Sequence, residues 1–200
     1  MRHWWTSWVT TSLTSPEEVK RLLSLGVDVN CRGWRNWTPL MWAAGYGNSD
    51  VVELLVSKGA DVSLVDRLGY NILHFAGGGW VTTSFTSPEE VKRHLSLGVD
   101  VNCRGWRNWT PLMWAAGYGN SDVVELLVSR GADVSLVDRL GYNILHLACM
   151  GGDLETVKFV LSLNVVDINA RNKRVKTVAD LARYWGRPRV VDLLVSCGAQ

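Results

Sequence analysis

The side chains best suited to chemistry are few in this 200-residue chain, and they do not converge. Its four histidines are His3, His74, His94 and His146, and its four cysteines are Cys31, Cys103, Cys149 and Cys197. No two cysteines form a C-x-x-C pair, so neither a zinc site nor a disulfide framework is indicated. Scattered free thiols fit a reducing compartment. No G-x-S-x-G, H-E-x-x-H or phosphate-loop pattern occurs. Gly77-Gly78-Gly79 runs into Trp80, not into the Lys-Ser/Thr pair that a phosphate cradle needs. The acids are spread along the chain with no pair marked as acid and base. The sequence therefore predicts no catalytic residue, no metal ligand, no cofactor and no enzymatic activity.

What the chain does concentrate is the chemistry of recognition. The stretch GWRNWTPLMWAAGYGN stands at Gly33–Asn48 and again at Gly105–Asn120. Tryptophan, tyrosine and arginine are the residues enriched in binding hot spots. A guanidinium over an indole adds roughly 0.5–2 kcal/mol when desolvated. The elements that must hold these groups follow from a wider self-similarity. Trp8–Ala76 matches Trp80–Ala148 at an offset of 72, differing only at Leu13/Phe85, Leu22/His94, Lys58/Arg130 and Phe75/Leu147. This is a tandem duplication that has barely diverged. A shorter period lies inside it. TPLMWAA at Thr38, NILHFA at Asn71, TPLMWAA at Thr110, NILHLA at Asn143 and TVADLA at Thr177 follow one another at spacings of 33, 39, 33 and 34 residues.

Each unit reads as helix, turn, helix. Thr38 caps a first helix with Pro39 at its opening turn, where a missing N–H does no harm. Ala43 and Ala44 are small enough for helices to approach closely. In NSDVVELLVSKGA, Val51, Val52, Leu54, Leu55 and Val56 form one broad apolar face with Asp50, Glu53 and Ser57 opposite. Gly59 then closes that helix. No single unit buries its apolar face alone, so stacking must build the core. The 39-residue spacing places a longer loop after Gly77, with Ser87-Pro88-Glu89-Glu90 as a capping box that starts the next helix. The first unit lacks its opening turn, and RHWWTSW must either cap it or mark a boundary. Arg183, Arg187 and Arg189 surround the last helix pair, as suits a polar terminal cap.

The period of about 33 residues and the T-P-L-H-x-A signature resemble the ankyrin repeat family. The motif letters stand as Thr38-Pro39-Leu40, Leu73-His74-x-Ala76, Thr110-Pro111-Leu112 and Leu145-His146-x-Ala148, and the endings VVELLVSKGADV, VVELLVSRGADV and VVDLLVSCGA also match. The resemblance covers nearly the whole chain. It implies an all-α solenoid of stacked helix-turn-helix units with β-hairpin-like finger loops, one domain over 1–200. The units fall at 1–33 (incomplete), 34–66, 67–105 with the longer inter-helix loop, 106–138, 139–172 and 173–200 as a C-terminal cap. It also implies a structural role for His74 and His146, whose place Met41, Met113 and Asp180 take in the other units.

The resemblance further implies that a partner binds on the finger turns and the inner helix face. By register the finger positions are Trp34, Arg35 and Trp37; Arg67, Leu68 and Tyr70; Trp106, Arg107 and Trp109; Arg139, Leu140 and Tyr142; and Lys173, Arg174 and Lys176. Tyr46 and Tyr118 lie on the adjoining inner helices. None of these finger positions carries an acid, so the expected partner is a protein or peptide with acidic and apolar residues, met by a monomeric, non-catalytic scaffold, adaptor or inhibitor. Two other readings stay open: nucleotide or single-stranded nucleic-acid binding by the same fingers, and the recognition part of a larger enzyme. A net charge of +2 argues against nucleic acid. The apolar runs are too short to span a membrane, and a cytoplasmic or nuclear setting is expected. The family also implies asparagine hydroxylation at the DVN turns, at Asn30, Asn102 and Asn169, whose plainer role is turn chemistry. His94 stands where the other units carry Leu22, Leu55, Leu127, Val160 and Leu194, which predicts a histidine in an apolar position.

Overall fold

The computed structural model describes residues 15–77 and 88–199. The expectations for the N-terminal RHWWTSW stretch, for the loop after Gly77 and for the Ser87 cap lie outside them. Residues 1–105 and 106–200 form two compact units.

In the first unit the apolar spacing of the sequence becomes short helices: α1 (Pro16–Ser24), α2 (Pro39–Gly45), α3 (Ser49–Ser57), α4 (Ile72–Gly77) and α5 (Pro88–Ser96). Helix α2 starts as its composition dictates. Thr38 Oγ1 accepts the Met41 N–H at 3.2 Å, and Pro39 occupies the first turn. Helix α3 starts at Asn48, whose Oδ1 accepts the Val51 N–H. It stops at Gly59, whose φ of 88° continues the chain in the left-handed region. Helix α2 packs on α3 and on α4, α4 on α5, and α1 on α3. Leu40, Met41, Ala43, Ala44, Val51, Val52 and Leu55 are buried between them. Each large aliphatic side chain among these contributes about 1.5–3 kcal/mol through burial.

The second unit continues the scheme with α6 (Pro111–Gly117), α7 (Ser121–Ser129), α8 (Ile144–Gly151), α9 (Leu154–Ser162), α10 (Val178–Tyr184) and α11 (Pro188–Ser196). Inner helices stack as α6, α8 and α10, and outer helices as α7, α9 and α11, with each inner helix paired to the outer one that follows it. The small residues work as the composition implies. A Cβ placed at Gly151 of α8 would lie 2.8 Å from the Ala116 carbonyl oxygen of α6, so these two backbones approach too closely for any larger residue. Among the described residues the fold is all-α, with a single antiparallel bridge between Arg171 and Thr177. No described helix is long and apolar enough to cross a membrane.

Both signature histidines are buried at helix starts. His74 Nδ1 accepts the Asn71 N–H at 3.1 Å. His146 Nδ1 lies 2.6 Å from Asn143 Oδ1, and its Nε2 lies 3.4 Å from the Lys176 carbonyl oxygen of the following finger. Burial holds the His146 imidazole below its usual pKa and so favours the neutral ring. Asp180 does the same capping work for α10 by accepting the Thr177 N–H at 3.0 Å. His94 is buried, as its register predicts.

Candidate recognition surface

The finger loops are organised from below by residues that the sequence alone did not single out. Asp66 is buried at the foot of its finger, and its Oδ1 accepts the N–H groups of Leu68 and Tyr70 at 2.7 and 2.9 Å. Asp138 does the same for Leu140 and Tyr142, and Asn172 for Arg174 and Lys176. A carboxylate buried with several N–H donors is satisfied by them and shapes a tight turn. Its second oxygen reaches back to the preceding finger. Trp37 Nε1 donates to Asp66 Oδ2 at 3.2 Å, and Trp109 Nε1 to Asp138 Oδ2 at 3.1 Å. Where Asn172 replaces the aspartate and Tyr142 the tryptophan, no such bond forms. The buried Asn172 Nδ2 has no hydrogen-bond partner among the described residues. The signal was in the sequence as an Asp, Asp or Asn directly before Arg67, Arg139 and Lys173.

Backbone bonds lace successive fingers within each unit. The Arg67 N–H donates to the Arg35 carbonyl at 2.8 Å in the first unit. In the second, Arg139 N–H donates to the Arg107 carbonyl and Lys173 N–H to the Leu140 carbonyl, each at 2.9 Å. The finger rows are thereby fixed scaffolds rather than independent loops.

These scaffolds sort the expected contact residues. Trp34 and Trp106 are 56% and 50% exposed, and each is roofed by its neighbouring arginine. Arg35 Cζ lies 4.3 Å from the Trp34 ring centre and Arg107 Cζ 4.1 Å from that of Trp106. The display depends on an uncommon backbone: Arg35 and Asn36 have φ of 55° and 63°, Arg107 and Asn108 of 61° and 63°. Left-handed geometry costs about 1–2 kcal/mol for an ordinary L-residue, less for asparagine. Tyr46 and Tyr118 are exposed and stack on Trp42 and Trp114 at 5.8 and 5.5 Å. Arg67, Arg139, Lys173, Arg174 and Lys176 are exposed as well.

Two expected contact residues belong to the core instead. Trp37 is 3% exposed, with its indole N–H on Asp66 and its ring edge-on to Trp42 and Phe75, both at 4.5 Å. Tyr70 is 2% exposed and lies so close to Gly105 that a Cβ there would sit 2.0 Å from the ring. Both stand at the last position of their fingers, where the side chain turns into the core. Trp109 and Tyr142 are half-buried. Leu68 and Leu140 are half-buried too.

Asn30 fills the plain turn role of its motif. Its Oδ1 accepts the Asp61 N–H at 2.8 Å and its Nδ2 donates to the Gly59 carbonyl, tying one repeat's turn to the next within the first unit. Asn102 and Asn169 bond from their N–H groups to Asp100 and Asp167. Two of the thiols, Cys31 and Cys149, are chemically quiet. Burial pushes Cys31 and Cys149 up to about 12, with Asp28 adding to the effect at Cys31, so both stay protonated and weakly nucleophilic. No described cluster of histidine, cysteine and carboxylate residues is arranged to hold a metal.

In the second unit a cleft of about 400 Å³ opens between the last finger and the inner helices α8 and α10. Trp185 on its wall is the register equivalent of Tyr46 and Tyr118 and is 49% exposed. The position was readable by counting from Thr177, but TVADLA keeps too little of the signature to draw attention to it.

A family model described as ankyrin repeats (3 copies) matches residues 9–79, 81–172 and 131–200. The chain is 34% identical to a palmitoyltransferase, AKR1, of Lachancea kluyveri over 72% of its own length and 19% of that protein's. It is 28% identical to Rabankyrin-5 of Mus musculus over 82% of its length and 14% of the relative's. A putative ankyrin repeat protein of fowlpox virus, FPV230, is 26% identical, with 84% of this chain and 88% of that one covered. The chain thus spans a small part of its longer relatives. The repeating helix pairs, the capped inner helices and the laced fingers are those of a protein-interaction repeat, and this chain belongs to the ankyrin repeat family.

Proposed function

We propose that this chain recognises a protein partner without catalysis, acting as scaffold, adaptor or inhibitor, and that the twin Trp34–Arg35 and Trp106–Arg107 tips make the central contacts. The observation that carries the reading is the indole–guanidinium pair stacked on a left-handed backbone in each copy, with both indoles and Arg107 exposed and Arg35 half-buried. A pair already stacked loses little side-chain freedom on binding, and backbone strain of this kind gathers where display matters more than stability. Tyr46, Tyr118, Arg67 and Arg139 flank the tips. The ion pairs among the described residues lie elsewhere, at Arg21–Glu18, Arg93–Glu53, Lys158–Glu155 and Arg183–Asp180. Acidic and apolar groups on a partner complement such a surface.

The test is quantitative capture by the intact chain against a Trp34→Ala/Arg35→Ala/Trp106→Ala/Arg107→Ala variant with an unchanged circular dichroism spectrum. Partners should be lost from the variant; equal recovery by both defeats the proposal. A second reading, recognition within a larger enzyme, draws on the likeness to a palmitoyltransferase of which the chain spans 19%. Immunoblotting the endogenous protein tests it, and a band at the 22.3 kDa of this chain excludes it.

A further inference from the structure

The cleft beside the last finger has walls of two kinds. Met150 and Leu181 give it an apolar floor, and Tyr142, Tyr184 and Trp185 give it aromatic sides. Arg174 and Lys176, both exposed, also line it. Tyr184 is 81% exposed, an unusual state for a large aromatic residue beside an open cavity. The remaining polar group is Asp180, whose Oδ2 accepts the Thr177 N–H and whose Oδ1 lies 3.7 Å from Arg183.

The walls are fixed before any ligand arrives. Asn172 holds the backbone N–H groups of Arg174 and Lys176, His146 lies against the Lys176 carbonyl, and Lys173 Nζ donates to the Arg139 carbonyl at 2.9 Å. Arg187 Nε donates to the Met150 carbonyl at 3.3 Å and ties down the far edge. The finger also carries a conformation that stability alone does not favour. Val175 has φ of 60° at the place where Gly69 and Gly141 complete the other fingers, and β-branched residues rarely adopt it. Arg174 and Lys176 flank Val175 in the chain, and both are exposed and line the cleft.

We propose that this cleft receives an extended peptide segment of a partner protein in which carboxylates flank one large apolar side chain. The inference rests on reading the chain as a recognition module, but it uses residues distinct from the twin tips. An apolar side chain of leucine or phenylalanine size fits between Met150, Leu181 and Trp185, and Tyr142 and Tyr184 cover its flanks. Carboxylates on either side meet Arg174 and Lys176, with bidentate geometry available at the guanidinium. Asp180, the one acid in the lining, is held by the Thr177 N–H and lies 3.7 Å from Arg183. Its carboxylate can accept a backbone N–H of an extended peptide, a donor that a polyphosphate or DNA backbone does not offer. Local charge thus selects the partner where the net charge of the whole chain does not.

Selection of a random dodecapeptide display library on the intact chain tests the proposal. Winning peptides are then synthesised with a fluorescent label and titrated by polarisation. The expected winners carry Asp or Glu beside a Leu, Phe or Trp. Their affinity should fall about tenfold or more in Arg174→Glu/Lys176→Glu and in Trp185→Ala, as for residues central to an interface, and stay unchanged in the fourfold tip variant. The charge reversal lies on exposed side chains, so it remains informative even if Trp185→Ala perturbs folding. Failure to select any peptide, winners without acids, or equal binding by both cleft variants overturns the inference. So does displacement of the peptide by labelled poly-dT with the same dependence on Arg174 and Lys176, which assigns the cleft to nucleic acid. Peptides lost only in the tip variant sink this inference while leaving the twin-tip proposal standing.

Discussion

His94 is a histidine in a leucine's place, and its replacement by leucine should stabilise the protein in a pH-dependent way. The side chain is 3% exposed on α5, which packs against α4, and its Nδ1 has no hydrogen-bond partner among the described residues. Burying an unsatisfied polar nitrogen costs about 1–3 kcal/mol. His94→Leu removes that cost and restores the residue found at Leu22, so a gain of about 1–3 kcal/mol is expected at neutral pH, where the ring is uncharged in both states. The imidazole pKa is pushed down to about 4, mainly by burial and secondarily by neighbouring Arg93. Arg93 is itself engaged by Glu53 at 3.4 Å. A depressed histidine pKa means that the unfolded chain binds the proton first. Stability is therefore full above the unfolded value of about 6.5 and is lost as pH falls towards about 4. At pH 5 this protonation costs the native state about 2 kcal/mol that the leucine variant does not lose. Urea denaturation followed by circular dichroism at pH 7.5 and pH 5, on both proteins, separates the terms. The carboxylates common to both cancel in the comparison. A variant no more stable than the parent at pH 7.5 refutes the burial argument, and an advantage that does not grow at pH 5 refutes the protonation argument.

Val175→Gly should stabilise the second unit by about 0.5–1 kcal/mol, because relief of a left-handed β-branched residue exceeds the extra chain entropy of glycine; an unchanged or lower urea midpoint contradicts this. Asp138→Ala strips the acceptors from the Leu140, Tyr142 and Trp109 N–H groups and should cost about 2–4 kcal/mol, read from the same titration. The fourfold tip variant should lie within about 0.5 kcal/mol of the parent, as surface substitutions do, so that a loss of capture reports on binding. A large destabilisation there would place the tips in the core.

The helix pairs were legible because their signal is redundant. A capping Thr or Asn at a helix start, an alanine within it and, after most outer helices, a glycine recur in register, and each follows from local chemistry that needs no knowledge of the partner helix. The fingers were legible only in part. Register locates Trp37 and Tyr70 in the turns, but it says nothing of Asp66, whose carboxylate draws the Trp37 indole inward from the next finger, or of Gly105, whose missing side chain leaves room for Tyr70. Burial in these loops is decided between successive repeats, beyond the reach of any local pattern. The asparagines in the left-handed turns were foreseeable from their backbone tolerance. Arg35 and Arg107 were not, since arginine has no such preference.

The duplicated fingers are identical in sequence but differ in burial. Trp37 and Trp109 sit in identical local sequence, and both donate to an aspartate 29 residues on. Yet Trp37 is buried and Trp109 half-buried. One of the four differences between the copies falls at this place: Phe75 closes edge-on against Trp37 at 4.5 Å, whereas the second copy carries Leu147 there. Leucine is smaller than phenylalanine and has no ring edge to set against an indole face. This difference inside α8 predicts that the second finger shows more aromatic surface, with no change in the finger's own residues. The two tips are one sequence in two environments. A partner reading Trp34 and Trp106 alone meets nearly equal surfaces, while one that also reaches Trp109 prefers the second copy. Leu147→Phe, which restores the first copy's packing, should cover Trp109 and slow its acrylamide quenching. Unaltered quenching would mean that something other than this side chain sets the difference.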